Sequence, residues 1–167
     1  MAARRATSSR DRAVSHQDEA SPVLAQIAQR FGTRLHTPAP ELDAIRRFAK
    51  PHVQFEHRHV DNHGVEVLPT PGHTPGSTCF LVPGADAFTY LFTGDTVFFA
   101  DNGVWTAGFI PNVSDADALE SSLKLLATLT PDLVISGAGA HPPGNTPWGP
   151  CAEQTIPTIP TSQARQA

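Results

Sequence analysis

The sequence predicts a mixed α/β fold of the α+β kind. Its strand-like segments come in hairpin pairs, helical-period segments are interleaved among them, and turn residues punctuate the borders. A chain of 167 residues is long enough for one domain with a substantial core. The 17% charged residues and net charge of −4 include only 12 Lys and Arg, which argues against an electrostatic nucleic-acid partner. No apolar run approaches the length of a bilayer span, so no membrane partner is expected either. Cys79 and Cys151 lie far apart without C-x-x-C spacing, which points to a reduced, cytoplasmic protein and not a disulfide scaffold.

The basic stretch over residues 1–13 has no apolar segment behind it and reads as a disordered arm. A helix then opens at Ser21-Pro22, the serine as cap and the proline at the first helical position. Val23, Leu24, Ile27, Ala28 and Phe31 recur at helical spacing, and Gly32 suits the exit. Arg34–Thr37 reads as a short strand and Glu41–Ala49 as a second helix. QFEHRHV and VEVLPT flank the turn residues DNHG and form a hairpin pattern. STCFLVP and TYLFTG make the next pair, and TVFFADNGVWTA a third hairpin. Ser114 and Asp117 have capping-box spacing ahead of a helix to about Leu129, with Leu119, Leu123 and Leu126 on one stripe. DLVIS is a buried strand, and residues 142–167 form an irregular Pro-rich tail, leaving 14–141 as the domain.

Two stretches carry chemistry. PTPGHTPGSTCF holds His73 between Gly72 and Gly76, a permissive loop that projects an imidazole at a sheet edge, where it can ligate a metal. In LFTGDTVF a strand ends at Gly94 and Asp95 is the first polar group beyond it. Either alone can be a polar turn. GHTPGS followed by a strand and TGD resembles the metallo-β-lactamase superfamily, the αββα sandwich of glyoxalase II-like hydrolases, and the later PDLVISGAG also fits.

That resemblance implies a two-metal site with seven protein ligands. Four come from an early H-x-H-x-D-H before a helix, then the His of G-H-T-x-G, the Asp of G-D and a late His of P-G-H-G. His73 and Asp95 take the fifth and sixth places. HRHVDNH, His57 to His63, carries letters like those of the early motif, yet it alternates along a strand into turn residues and no helix follows. The matching place is VSHQDEASP. There His16 is kept, Asp18 replaces the second His, and Ala20 and Ser21 stand where the motif's Asp and last His belong. Ala138 stands at the seventh place, with His141 three residues on.

The losses fall together on one side of the site. The resemblance therefore implies zero or one ion, Zn²⁺ with Fe²⁺ or Mn²⁺ as alternatives, held by His16, Asp18, His73 and Asp95. With such a site the chain reads as a hydrolase of a small ester, thioester or lactone, with Asp18 and Asp95 as the catalytic carboxylates. The other readings are a catalytically inactive member that binds a small molecule or protein, and a fragment. Family members carry several strands ahead of the early motif, and only about fifteen polar residues precede His16 here, so the sandwich is expected to lack its first strands. A homo-oligomer could complete that sheet. Phe98, Phe99, Trp105 and Phe109 are candidates either for an apolar pocket beside Asp95 or for core packing.

Overall fold

The computed structural model describes residues 11–13, 22–100 and 104–137, and the chain divides into two compact units between Phe55 and Glu56. Among the described residues no helix is long and apolar enough to cross a membrane.

In the first unit, β1 (Asp11–Ala13), β2 (Arg34–Pro38) and β3 (Val53–Phe55) form a parallel sheet in that order. Strand β1 falls inside the stretch expected to be an arm. Helix α1 (Pro22–Phe31) connects β1 to β2, and Gly32 leaves it at φ +60°, a left-handed exit that suits glycine. Parallel neighbours require such crossovers, whereas a hairpin cannot supply them. The second helix is shorter than its periodicity predicts. A 3-10 turn, Ala39–Glu41, leads into α2 (Leu42–Ile45), and Phe48 N–H then donates to the Ile45 carbonyl at 2.9 Å, tightening the exit into turns. Leu35, Ile45 and Ala49 make a small core, with Leu24 of α1 packed against it.

QFEHRHV is not one strand. Gln54 and Phe55 belong to β3, while β4 (His59–Val60) pairs with β5 (Glu66–Pro69) in the second unit, with Glu56, His57 and Arg58 exposed between them. Alternation along a segment reports which face its residues take, not which strand it pairs with.

The second unit is built on a five-stranded sheet in the order β10-β7-β6-β5-β4. Strands β4 through β7 are antiparallel neighbours, with β6 at Thr78–Pro83 and β7 at Thr89–Gly94. Strand β10 (Leu133–Ser136) lies parallel to β7. Strands β8 (Val97–Phe99) and β9 (Trp105–Ala107) form a separate hairpin, as expected. Helix α3 (Ala116–Leu126) joins that hairpin to β10. Its stripe of Leu119, Leu123 and Leu126 packs with Leu68, Cys79, Leu91 and Val134 of the sheet, and with Val97 and Ala107 of the hairpin. The expected stripe is therefore the core of this unit.

The start of α3 differs from the capping-box reading. The cap is Asp115, whose Oδ1 accepts the N–H groups of Asp117 and Ala118, each at 3.0 Å. Ser114 is engaged elsewhere.

Candidate functional site

His73 lies in the loop between β5 and β6 and is 6% exposed. The loop closes through Thr70 N–H donating to the Ser77 carbonyl at 2.8 Å. Within it, Thr74 N–H donates to Ser77 Oγ at 2.9 Å, and the Thr74 and Ser77 hydroxyls share a bond of 3.0 Å. These short side chains satisfy buried backbone groups that would otherwise carry a desolvation cost.

Three successive carbonyls of this loop are received by α3 and its approach. Ser122 Oγ donates to Pro71 O at 2.7 Å, Asp115 N–H to Gly72 O at 2.8 Å, and Ser114 Oγ to His73 O at 2.8 Å. Gly72 has φ +134°, and a Cβ there would overlap the backbone of Leu119. The need for glycine thus comes from both conformation and close approach. The histidine's backbone is fixed by a helix that also forms the core.

Asp95 occupies the two-residue turn from β7 to β8, as its position after Gly94 predicts. Thr96 N–H donates to Thr93 O at 3.1 Å, and Thr93 Oγ1 donates to Val97 O at 2.7 Å, so the turn is bonded across itself. Gly94 has φ +52°. On one side, Gly137 N–H donates to Gly94 O at 2.8 Å, just past a register shift between Ile135 and Ser136. A Cβ on Gly137 would come to 3.0 Å from Asp95 Oδ1. On another side, Gly108 N–H donates to Thr96 O at 3.0 Å. A Cβ on Gly108 would overlap the Asp95 carbonyl and come to 2.9 Å from His73 Nδ1. The His73 ring and the Asp95 main chain therefore both border the empty side of Gly108. The structure brings these two predicted site residues together.

His16, Asp18, Ala20 and Ser21 lie outside the described residues, as do Ala138 and His141. Among the described residues no group of three or more His, Cys, Asp or Glu side chains could hold a metal ion. The donors present, one imidazole and one carboxylate, are of the type that Zn²⁺, Fe²⁺ and Mn²⁺ accept.

HRHVDNH is a hairpin, as its turn chemistry predicts. His59 pairs with Val67, and Asp61 Oδ1 accepts the N–H groups of His63 at 2.8 Å and Val65 at 2.9 Å. The Asp61 carboxylate is thus engaged by its own turn. Arg58 Nε bonds Glu66 Oε1 at 2.6 Å across the same hairpin. Of the aromatic candidates, Trp105 and Phe109 pack against the main core, and Phe99 meets Trp105 edge-on at 5.6 Å between ring centroids. Trp105 and Phe109 follow the core-packing alternative.

Cys79 is buried beneath the site. Burial pushes its thiol up to about 11, against a smaller lowering by hydrogen bonds from Thr70 and Thr96, so it is a packing residue and not a nucleophile.

Sequence reasoning overlooked Ser114, Ser122, Gly108 and Gly137. Only Gly137 carried a signal, through its place in PDLVISGAG. Ser114 was hidden by its S-x-x-D spacing, which a nearer cap makes unnecessary.

A family model described as the metallo-beta-lactamase superfamily matches residues 9–138. A hydroxyacylglutathione hydrolase of Shewanella oneidensis is 30% identical over 145 residues, 83% of this chain and 50% of that protein. This chain therefore spans about half the length of that curated relative. Among solved structures, a metallo-beta-lactamase from Pontibacter korlensis superposes with TM-score 0.61 at 19% identity, covering 84% of this chain and 63% of the other. The protein TTHA1623, solved in a di-iron-bound form, superposes with TM-score 0.53 at 24% identity over 77% of this chain and 69% of its own. At such identities these likenesses concern the fold alone.

Proposed function

Because this chain belongs to the metallo-β-lactamase superfamily, we propose that it is a hydrolase of that fold acting on a small thioester, ester or lactone through a site that holds at most one metal ion. The observation that carries the proposal is the convergence of His73 and the Asp95 turn on Gly108, each held by buried backbone hydrogen bonds. The hydroxyacylglutathione hydrolase relative favours the thioester among these substrates.

The proposed holders of the ion are His16, Asp18, His73 and Asp95, with Zn²⁺ first and Fe²⁺ or Mn²⁺ also suited to two imidazoles and two carboxylates. A bound divalent cation would polarise the substrate carbonyl and make water more acidic. His73 is buried on its loop, and Ser114, just ahead of α3, holds its main-chain carbonyl. Asp95 contributes a carboxylate beside Gly137, where any side chain would crowd its Oδ1. Asp18 is proposed to orient the attacking water and receive its proton, since one ion has no second ion to share the water with.

The absence of His at Asp18, Ser21 and Ala138 favours a second reading, a member of the fold that binds a small molecule without turning it over. Thermal melts with and without chelator, beside thioester hydrolysis, separate the two readings. The hydrolase reading expects chelator to lower the melting temperature of the wild type but not of His73→Ala, and to abolish hydrolysis. A wild type that neither responds to chelator nor hydrolyses a thioester, ester or lactone would leave the binding module.

A further inference from the structure

Ser114 is the residue at which the two sides of the His73 environment are tied together. Its Oγ donates to the His73 carbonyl at 2.8 Å and accepts the N–H of Ile110 at 2.7 Å. Ile110 stands two residues beyond Gly108, whose open side borders His73 Nδ1. A second bond, Ser114 N–H to the Ile110 carbonyl at 2.9 Å, makes the attachment to this segment two-pointed. One hydroxyl thus sets how far the histidine's main chain sits from the strand end lying against its ring. Ser122 differs. It holds Pro71 O, two residues ahead of the histidine, and so acts on the other side of the loop from the Gly108–Ile110 attachment.

We propose that Ser114 is a positioning residue for His73, fixing the orientation of the imidazole by linking the His73 carbonyl to the Gly108–Ile110 segment. The proposal rests on the reading of His73 as a metal ligand for its functional consequence, but its structural content can be read without metal. Partners bonded directly to the ring of a ligating histidine commonly contribute about ten-fold to a hundred-fold to metal affinity, and a bond to its main chain is expected to act at the lower end of that range. A hydroxyl is the right group here because one oxygen must donate and accept at once.

The test uses the full chain with Ser114→Ala, Ser114→Thr and Ser122→Ala, and two readouts. These are Co²⁺ affinity from its visible absorption and the ring ¹⁵N resonances of His73 in metal-free protein at fixed pH. Ser114→Ala is expected to weaken Co²⁺ binding about ten-fold and to move the His73 ring resonances, and Ser114→Thr to restore both. Ser122→Ala is expected to lower the melting temperature while leaving Co²⁺ affinity within about two-fold. Unchanged affinity and unchanged ring resonances in Ser114→Ala would overturn the proposal, as would equal effects from both serines. If the wild type takes up no Co²⁺, the metal reading fails, and the ring resonances alone decide the role of Ser114. Should Ser114→Ala not fold, Ser114→Cys, a weaker donor of similar size, is expected to show the same changes at smaller amplitude, and its silence would count against the proposal.

Discussion

Gly72 lies so close to Leu119 that a single added methyl would overlap the helix backbone. The loop that carries the candidate ligand and the helix that fills the core are therefore one packing unit. Gly72→Ala would meet both that overlap and the strain of φ +134°. It is expected to destabilise the chain by about 3 kcal/mol or more, seen as a lowered midpoint in urea unfolding. A midpoint close to wild type would mean that loop and helix are not packed in this way.

Asp115, and not Ser114, carries the N-terminal cap of α3. Asp115→Ala should cost about 1 kcal/mol of stability by thermal or denaturant unfolding, and Asp115→Asn much less, because the amide oxygen can still accept. Equal losses from both substitutions would point to the charge, and not the hydrogen bonds to Asp117 and Ala118.

Much of this architecture was legible in the sequence. The β6–β7 pair follows from alternating apolar segments around PGADAF, and α3 from the spacing of Leu119, Leu123 and Leu126. The turn at Asp61–Gly64 follows from its residue types, which is why HRHVDNH could be set aside as a metal motif. Less legible was anything decided by a distant partner. No local pattern says that Val53–Phe55 pairs in parallel with β2 while His59–Val60 pairs with β5. Nor does local spacing reveal that Ser114 gives its hydroxyl to a carbonyl 41 residues away. His73 and Asp95 could be singled out because Asp95 directly follows a readable strand and His73 lies in a glycine-flanked loop between two. Gly108 was missed because what it accommodates comes from other parts of the chain. His16 and Asp18 lie outside the described residues, so the proposal for them rests on the motif alone.

Gly137→Ala separates site geometry from fold stability. Its added methyl would stand 3.0 Å from Asp95 Oδ1 and 3.3 Å from the Gly94 backbone, tight contacts that force small movements. The expected cost is about 1–2 kcal/mol of stability, with the Asp95 carboxylate displaced. Zn²⁺ affinity measured by competition with a chromophoric chelator should fall more steeply than that cost accounts for. Affinity equal to wild type would remove Asp95 from the ligand set.

Cys79 gives a pH prediction with a definite sign. Burial raises its thiol from the ordinary 9.0 to about 11 in the folded chain. The unfolded chain therefore loses this proton at lower pH than the folded one. The stability contributed by keeping the thiol neutral is fully present below about pH 9 and is lost as pH rises towards 11. In a Cys151→Ser background, native protein should react slowly with a thiol reagent at pH 8, and Cys79→Ala should flatten the fall in stability between pH 9 and 11. Rapid reaction of native Cys79 would contradict its burial.

The most direct test of the central claim is the metal content of the purified full chain, by elemental analysis after loading with Zn²⁺ and removal of excess, with His73→Ala and Asp95→Asn measured in parallel. The expected result is no more than one ion per wild-type chain, with that ion lost in both variants. Two tightly held ions, or one that survives the loss of His73, would contradict it.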